Sequence, residues 1–427
     1  MERSVGLDFG TTNSAVGVTG DDGKVTLARF PHRGGVSDTF RSILYFHPDL
    51  RDGRNQLLPL AGGRAIDRYL EAADDGRLIQ SLKSYLADVT FERTSIFNRS
   101  HSLVDMLALL LRDLRARAEE QLGPLGRRLV VGRPVHFSNA DTPEDDAFAL
   151  GRLRAAVLAA GFEDVVFEYE PVAAAYYYEG RLDHDELVLV ADFGGGTSDF
   201  SVVNVGPSHR REGAQRILAN DGVAIAGDVL DSRILHQIVA PALGLGSTYK
   251  SMFGTELTVP VWIYDRLRRW HHLSFLKTTK NIELLHEIAD RSDVPAKIRA
   301  LWHIVDDDLG YHLYRAVERA KVELSARDEV RFRFEDGPLV IEAPITRADF
   351  ETWIAADTSA MAACVDRVLA GAGVTGADID QVFMTGGTSF VPAVRRIFDE
   401  RFGAEKIQAG GEMISVATGL ALRAEER

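Results

Sequence analysis

Apolar residues occur along the chain in short runs, and two of these runs end in nearly the same way. Val5, Gly6 and Leu7 lead into Asp8, then a turn of small polar residues, then a second apolar run over 15–18. Far downstream, residues 187–191 lead into Asp192, a glycine-rich turn over 194–197 and another apolar run from Phe200. Each reads as strand, tight turn, strand: a β-hairpin with glycine where the turn needs it. Neither runs on into a helix, so neither the Walker loop nor the dinucleotide fingerprint applies. Elsewhere the period changes. Leu103, Met106, Leu107, Leu110, Leu111 and Leu114 fall at helical spacing and predict one buried helix face. Residues 127–137 predict a strand with Pro134 near its end, and 145–162 an Ala/Leu-rich helix stopping at Gly161. Residues 165–180 predict a strand, then Glu170-Pro171, then a helix with proline in its first turn. Residues 381–403 predict a strand, a Gly386-Gly387 turn and a helix whose N-terminus could face a ligand. Strands interleaved with helices make the chain α/β.

The repeat carries the first chemical inference. Superposing the two hairpins sets Asp8 on Asp192, Gly10 on Gly194 and Thr12 on Gly196. Glycines let backbone approach a ligand closely, and such a turn aims several N–H groups inward as a nest for an anion. Thr11, Thr12 and Thr197 add hydroxyl donors. Aspartates would repel a phosphate, so their presence calls for a cation between the two, best met by Mg²⁺ with its waters retained. One glycine-rich turn with an aspartate is usually only a turn. Two equivalent ones predict two similar lobes that clamp one polyphosphate.

Composition narrows the class. The 427 residues exceed one ordinary domain, and 45% apolar with 26% charged residues is the make-up of a globular protein. No apolar run is long enough to span a bilayer, and the N-terminus has no signal-peptide pattern, so no membrane partner is expected. The single cysteine, Cys364, excludes an internal disulfide and fits a cytoplasmic protein; its plain reading is a small apolar residue on a helix. A net charge of −14 argues against nucleic acid as the main partner but not against one nucleotide held by amides and a metal.

The strings "VGLDFGTTNSAV", "EPVAAAYYYE", "VADFGGGTSDFS", "ERAKVELS" and "VFMTGGTSFVP" resemble, in that order, motifs of the DnaK-type (seventy-kilodalton heat-shock) chaperone ATPase domain. The likeness runs from about residue 4 to about 422, with "LANDGVAIAGDVLDSRI" and "ITRADFE" as further similar segments. It implies the two-lobed actin, hexokinase and chaperone ATPase superfold, with ribonuclease H-like lobes and a deep central nucleotide cleft. Lobe I would be residues 1–186 and lobe II 187–427, with an enlarged helical subdomain at about 230–325.

The resemblance also implies roles. Asp8 and Asp192 would hold the metal, and Gly10, Thr11, Thr12 and Asn13 would line the first phosphate turn. Gly194, Gly195, Gly196 and Thr197 would form the second, with Asp192 and Asp199 orienting metal and attacking water. Glu170 would sense the γ-phosphate, and Pro134 matches a strand-end proline linked to switching. Glu318, Lys321 and Ser325, on one helix face by their spacing, would clamp the adenosine, with Gly386, Gly387 and Thr388 on its other side and Gly227 joining the nucleotide set. The implied ligands are ATP or ADP with Mg²⁺, K⁺ being a further candidate. The implied activity is slow ATP hydrolysis in a monomeric conformational switch that serves an unknown protein partner or client.

Departures from the pattern matter as well. The family's catalytic lysine has no obvious counterpart; Lys83 is the candidate by elimination, with Arg93 and Arg99 as weaker substitutes and an exposed helix cation as the plain alternative. Phe390 stands where an adenosine-side arginine is expected, and "GGEMISVATGLAL" keeps only the general shape of the closing segment. The chain shows neither the linker nor the substrate-binding domain of full-length chaperones, which makes it similar to the short YegD-like branch. Residues 244–315 are less family-like. Trp262, Trp270 and Trp302 there read either as a partner-binding helical surface or, more simply, as packing of an extra helical pair. Adjacent His271 and His272 diverge on a helix without a cysteine nearby, so no zinc site is expected. Two other functions compete: a small-metabolite kinase of the same superfold, which needs an extra cleft carboxylate, and an actin-like polymerising scaffold.

Overall fold

The computed structural model describes residues 4–20, 22–32, 35–53, 55–71, 76–179, 182–209, 216–268, 276–307, 309–409 and 415–425. They divide into two compact units. One takes residues 1–226, 360–389 and 394–427, and the other residues 227–359 and 390–393. Trp270, His271 and His272 lie outside the described residues, as do Asp21 and residues 410–414 of the 410–422 string.

The first unit is built on two sheets of the same topology. In one, strand Val5–Phe9 pairs antiparallel with Asn13–Thr19 through the first hairpin and parallel with Arg128–Arg133, which pairs parallel with Asp164–Tyr169. In the other, Glu186–Phe193 pairs antiparallel with Ser198–Val205 and parallel with Gln381–Thr385, which pairs parallel with Ile407–Ala409. A further antiparallel strand extends each hairpin, Val25–Leu27 in one sheet and Ile217–Val223 in the other. The repeated sequence is thus a repeated structure. The registers place Asp8 opposite Ala15 and Asp192 opposite Asp199, both at the turn end of their hairpins.

Helices cover both faces of the first sheet. Leu103–Leu122 starts on a reciprocal cap, in which Ser102 Oγ accepts from Asp105 N and Asp105 accepts from Ser102 N. Its predicted leucine face is buried. Pro143–Ala159 has the same device from Thr142 and Asp145, and the chain leaves it through Gly161, at a φ of 99°. On the other face lie Glu170–Glu179 and the closing helix Ser415–Glu425. Ala173, Ala174, Val416 and Leu420 from these helices share one core with Val130 of the first sheet and Val188, Val190 and Val203 of the second. Small residues make that packing possible. A Cβ on Gly419 would sit 1.7 Å from the Ala173 carbonyl oxygen, and one on Gly6 would sit 2.3 Å from Ala421 N. Tyr176 and Tyr178 are buried helix-packing residues, as their setting in an alanine-rich helix suggests.

The second unit is mainly helical. Helices Thr279–Arg291 and Pro295–Asp306 pack as a pair on Leu285, Ile288, Ile298 and Leu301, and His286 stacks on Trp302 at 4.3 Å. Gly310–Ala326 carries the "ERAKVELS" string, and hairpin Glu329–Asp336 with Leu339–Thr346 follows it.

Candidate active site

The first unit gathers four carboxylates and one cation. Asp8 and Asp192 stand at the ends of equivalent strands, and Asp199 stands across the second hairpin from Asp192. Glu170 opens the helix Glu170–Glu179 directly after strand Asp164–Tyr169, so its side chain is fixed where that strand ends. Lys83 sits in a short 3₁₀ turn, Leu82–Tyr85, entered through Ser81 in the left-handed region at a φ of 57°. That bend turns Lys83 inward. It is no exposed cation: its Nζ lies 2.8 Å from Glu170 Oε1, with side chains 10% and 9% exposed.

Electrostatics bind these groups together. Burial, then the Glu170 charge, holds the Asp8 carboxyl well above the usual carboxylate range, with Lys83 offsetting part of the rise and Asp192 adding to it. Burial and Glu170 likewise push Asp192 up to about 6, against the lowering effects of Thr385 and Lys83. Asp199 is raised well above its ordinary value by burial, Glu170 and Asp192 in turn. Burial alone would lower the Lys83 ammonium; the Glu170 and Asp8 charges outweigh it and keep it above its ordinary value. One lysine cannot neutralise four carboxylates. The cluster is short of positive charge.

Hydrogen bonds and glycines shape the site. Thr385 Oγ1 donates to Asp192, and Thr197 Oγ1 donates to Asp199 Oδ2 at 2.9 Å. Asp199 Oδ1 is buried and has no hydrogen-bond partner among the described residues. A Cβ on Gly222 would lie 2.7 Å from that oxygen, and one on Gly132 would lie 3.1 Å from Glu170 Cγ. Both glycines make room for a carboxylate; Gly132 stands in no quoted motif, whereas Gly222 falls within the family-like segment over 218–234. Gly10 is demanded by its own turn, since a Cβ there would lie 2.1 Å from Asn13 O. Asn13 Oδ1 in turn accepts from Arg41 Nη1 at 3.1 Å. In the second turn, Gly194 N donates to Thr197 O at 2.9 Å, closing the loop. The third glycine turn packs on the second hairpin: Gly386 has a φ of 82°, and a Cβ there would lie 1.9 Å from Phe193 O. Thr388 is buried beyond it, whereas Phe390 is 54% exposed.

The remaining candidates form a separate group within the second unit. Lys321 Nζ lies 2.8 Å from Asp231 Oδ2 and 3.4 Å from the carbonyl of Gly227, which opens helix Gly227–Ile234. Burial and the neighbouring Asp231 push Asp228 up to about 7, and Tyr314 OH donates to it at 3.4 Å. Glu318 pairs with Arg315 at 2.7 Å, and Ser325 Oγ donates to Lys321 O at 3.3 Å. Asp228 and Asp231 fall within the family-like segment over 218–234, but they join the predicted residues only through the fold, by way of Tyr314 and Lys321.

Among the described residues, no three His, Cys, Asp or Glu side chains converge closely enough to cage a metal directly. A hard divalent ion that keeps its own waters fits the cluster better than a ligand-stripped one. Asp8, whose proton affinity the Asp192 charge raises, and Asp192 are the candidates to hold it, both at the turn ends of their hairpins.

Comparison with known proteins gives the family. The family described as Hsp70 protein matches residues 80–242 and 304–425. Two curated relatives are similar along 99% of this chain: the chaperone protein DnaK of Thermosipho melanesiensis at 26% identity and that of Thermosipho africanus at 25%. The chain spans 59% of the length of each. It belongs to the Hsp70 family, and with that membership goes the actin-like ATPase fold, to which the two mixed sheets conform. The metabolite-kinase and scaffold readings are not favoured by it. Outside the match lie residues 1–79, which include the first hairpin, and residues 243–303, which fall largely within the part of the chain that looked least family-like.

Proposed function

We propose that this chain binds ATP with Mg²⁺ in a central cleft, hydrolyses it slowly, and uses the nucleotide state as a switch for a protein client or partner in the cytoplasm. The observation that carries the reading is the Lys83–Glu170 pair seated among Asp8, Asp192 and Asp199 at the ends of paired hairpins. Hydrolysis of a γ-phosphate needs positioning, charge neutralisation and an oriented water more than covalent chemistry. Mg²⁺ supplies the missing positive charge when bound. Lys83 draws the terminal phosphate toward the glycine turns, and Glu170 fixes Lys83. The raised proton affinity of Asp199 and its unpartnered Oδ1 suit it to accept a hydrogen bond, and then a proton, from the attacking water.

Assignment of Glu318, Lys321, Ser325, Gly227, Gly386, Gly387 and Thr388 to the adenosine side rests on the family resemblance, as do K⁺ binding, the monomeric state and the likeness to the short YegD-like branch. The chaperone role rests on similarity to the chaperone proteins DnaK. Differential scanning calorimetry with Mg²⁺–ATP tests the core of the reading. Ligand at a hundred times its Kd raises stability by about 2.7 kcal/mol, and no stabilisation at millimolar nucleotide refutes it. A pull-down with and without ATP then tests the switch.

A further inference from the structure

Two serines that belong to none of the nucleotide motifs flank the second phosphate turn. A Cβ built on Gly196 would lie 3.2 Å from Ser138 Oγ and 3.7 Å from Ser84 Oγ, so both hydroxyls border that glycine's backbone. Ser84 follows Lys83 directly in the 3₁₀ turn, and Ser138 lies in the loop after strand Arg128–Arg133. Both are half-buried, and neither hydroxyl makes a hydrogen bond among the described residues. Their placement is held from outside. Asn139 takes the left-handed conformation at a φ of 64°, and its Nδ2 donates to Ser84 O at 3.2 Å, tying the two serine loops together. Ser81, three residues before Ser84, is left-handed as well. Strained backbone of this kind persists where surrounding structure holds it, often at ligand clamps.

We infer that Ser84 and Ser138 are phosphate ligands that donate to the terminal phosphoryl group of the bound nucleotide. The chemistry follows from position. An oxyanion drawn to Lys83 and to the turn over 194–197 comes to rest beside Gly196, where these two hydroxyls have donors to spare and no competing acceptor. A side chain at 196 would press on the Ser138 hydroxyl, 3.2 Å from the Cβ position, and would touch that of Ser84 at 3.7 Å. The third phosphate sits deepest against Lys83, so the serines discriminate triphosphate from diphosphate rather than one base from another. This inference rests on the nucleotide reading above.

The test measures Mg²⁺–ATP and Mg²⁺–ADP affinity by titration calorimetry for the wild-type chain, Ser84→Ala, Ser138→Ala, the double variant and Ser138→Thr. Each alanine variant should lose about threefold to tenfold in ATP affinity and the double about thirtyfold. ADP affinity should stay within about twofold, which also shows the variants folded, and Ser138→Thr, which keeps the hydroxyl, should hold ATP as the wild type does. Equal losses for ATP and ADP, or no loss for either, would overturn the inference while leaving ATP binding intact. Failure of the wild-type chain to bind either nucleotide would instead sink the underlying reading, and the inference with it.

Discussion

Replacing Lys83 with methionine should separate what the site needs for chemistry from what it costs the fold. Lys83 and Glu170 are 10% and 9% exposed and 2.8 Å apart. At an effective dielectric of about 20 their gross attraction is roughly 6 kcal/mol, most of it offset by desolvation. Removing one partner is a different matter, because it strands a buried charge and typically costs about 3–5 kcal/mol. Here the stranded Glu170 also faces Asp8, Asp192 and Asp199, whose proton affinities its charge already raises. We therefore expect Lys83→Met to lose about 3 kcal/mol at about pH 8. The loss should shrink at about pH 5, below the value of about 6 for Asp192, where protonated neighbours no longer repel Glu170. The double variant Lys83→Met/Glu170→Gln should regain at least half of it, yet hydrolyse no ATP. Urea unfolding followed by far-ultraviolet circular dichroism is the assay. Tryptophan emission would mislead, since Trp262, Trp270, Trp302 and Trp353 all fall within 227–359 and report on the other unit. A variant as stable as wild type at pH 8, or a loss that does not change with pH, would refute the electrostatic account.

Other expectations follow from the same geometry. Asp192→Asn and Asp199→Asn should cut single-turnover hydrolysis by about a hundredfold and nucleotide affinity by less than about fivefold; equal losses would reduce both to binding anchors. Because Asp192 in the folded chain rises from 3.8 to about 6, the folded state binds the extra proton, and its stabilising effect is lost as pH rises from about 4 through about 6. That is worth about 3 kcal/mol, so ligand-free Asp192→Asn should be more stable than wild type at pH 8 and equal to it near pH 4 in chemical denaturation. Gly222→Ala would push its methyl into Asp199 Oδ1, now 2.7 Å from the Cβ position, and should slow hydrolysis about tenfold with little change in ATP affinity; unchanged turnover would show that Asp199 can move without consequence. Gly419→Ala must displace the Ala173 carbonyl and should destabilise the fold by about 3 kcal/mol, read from the urea midpoint.

What could be read from the sequence was local. The hairpins announce themselves because an aspartate, a glycine and a threonine must follow one another to make the turn. Helix Glu170–Glu179 and the leucine face of Leu103–Leu122 are legible from adjacent residues for the same reason. Lys83 emerged only by elimination, since its burial depends on Glu170, 87 positions away. Gly132, Ser84 and Ser138 carry no local mark at all, and Gly222 lies in a family-like segment that does not single it out. Each matters through a side chain or turn that the fold brings to it. Asp231 was hidden likewise: its partner Lys321 is 90 residues further on.

The closing helix has a kinetic consequence. Thr19 Oγ1 donates to Ala421 O, 402 positions further along the chain, and Gly6 fits beneath the same helical turn. A ribosome delivers the first hairpin long before the segment that covers it. Until residues 415–425 emerge, one face of the first sheet and the alanine-rich helix behind Glu170 lie open to water. Contacts so far apart in sequence slow folding and leave apolar surface exposed while synthesis proceeds. The nascent chain is therefore itself a client for whatever shields such surfaces, and shortening it by its last helix would leave that shielding permanently required.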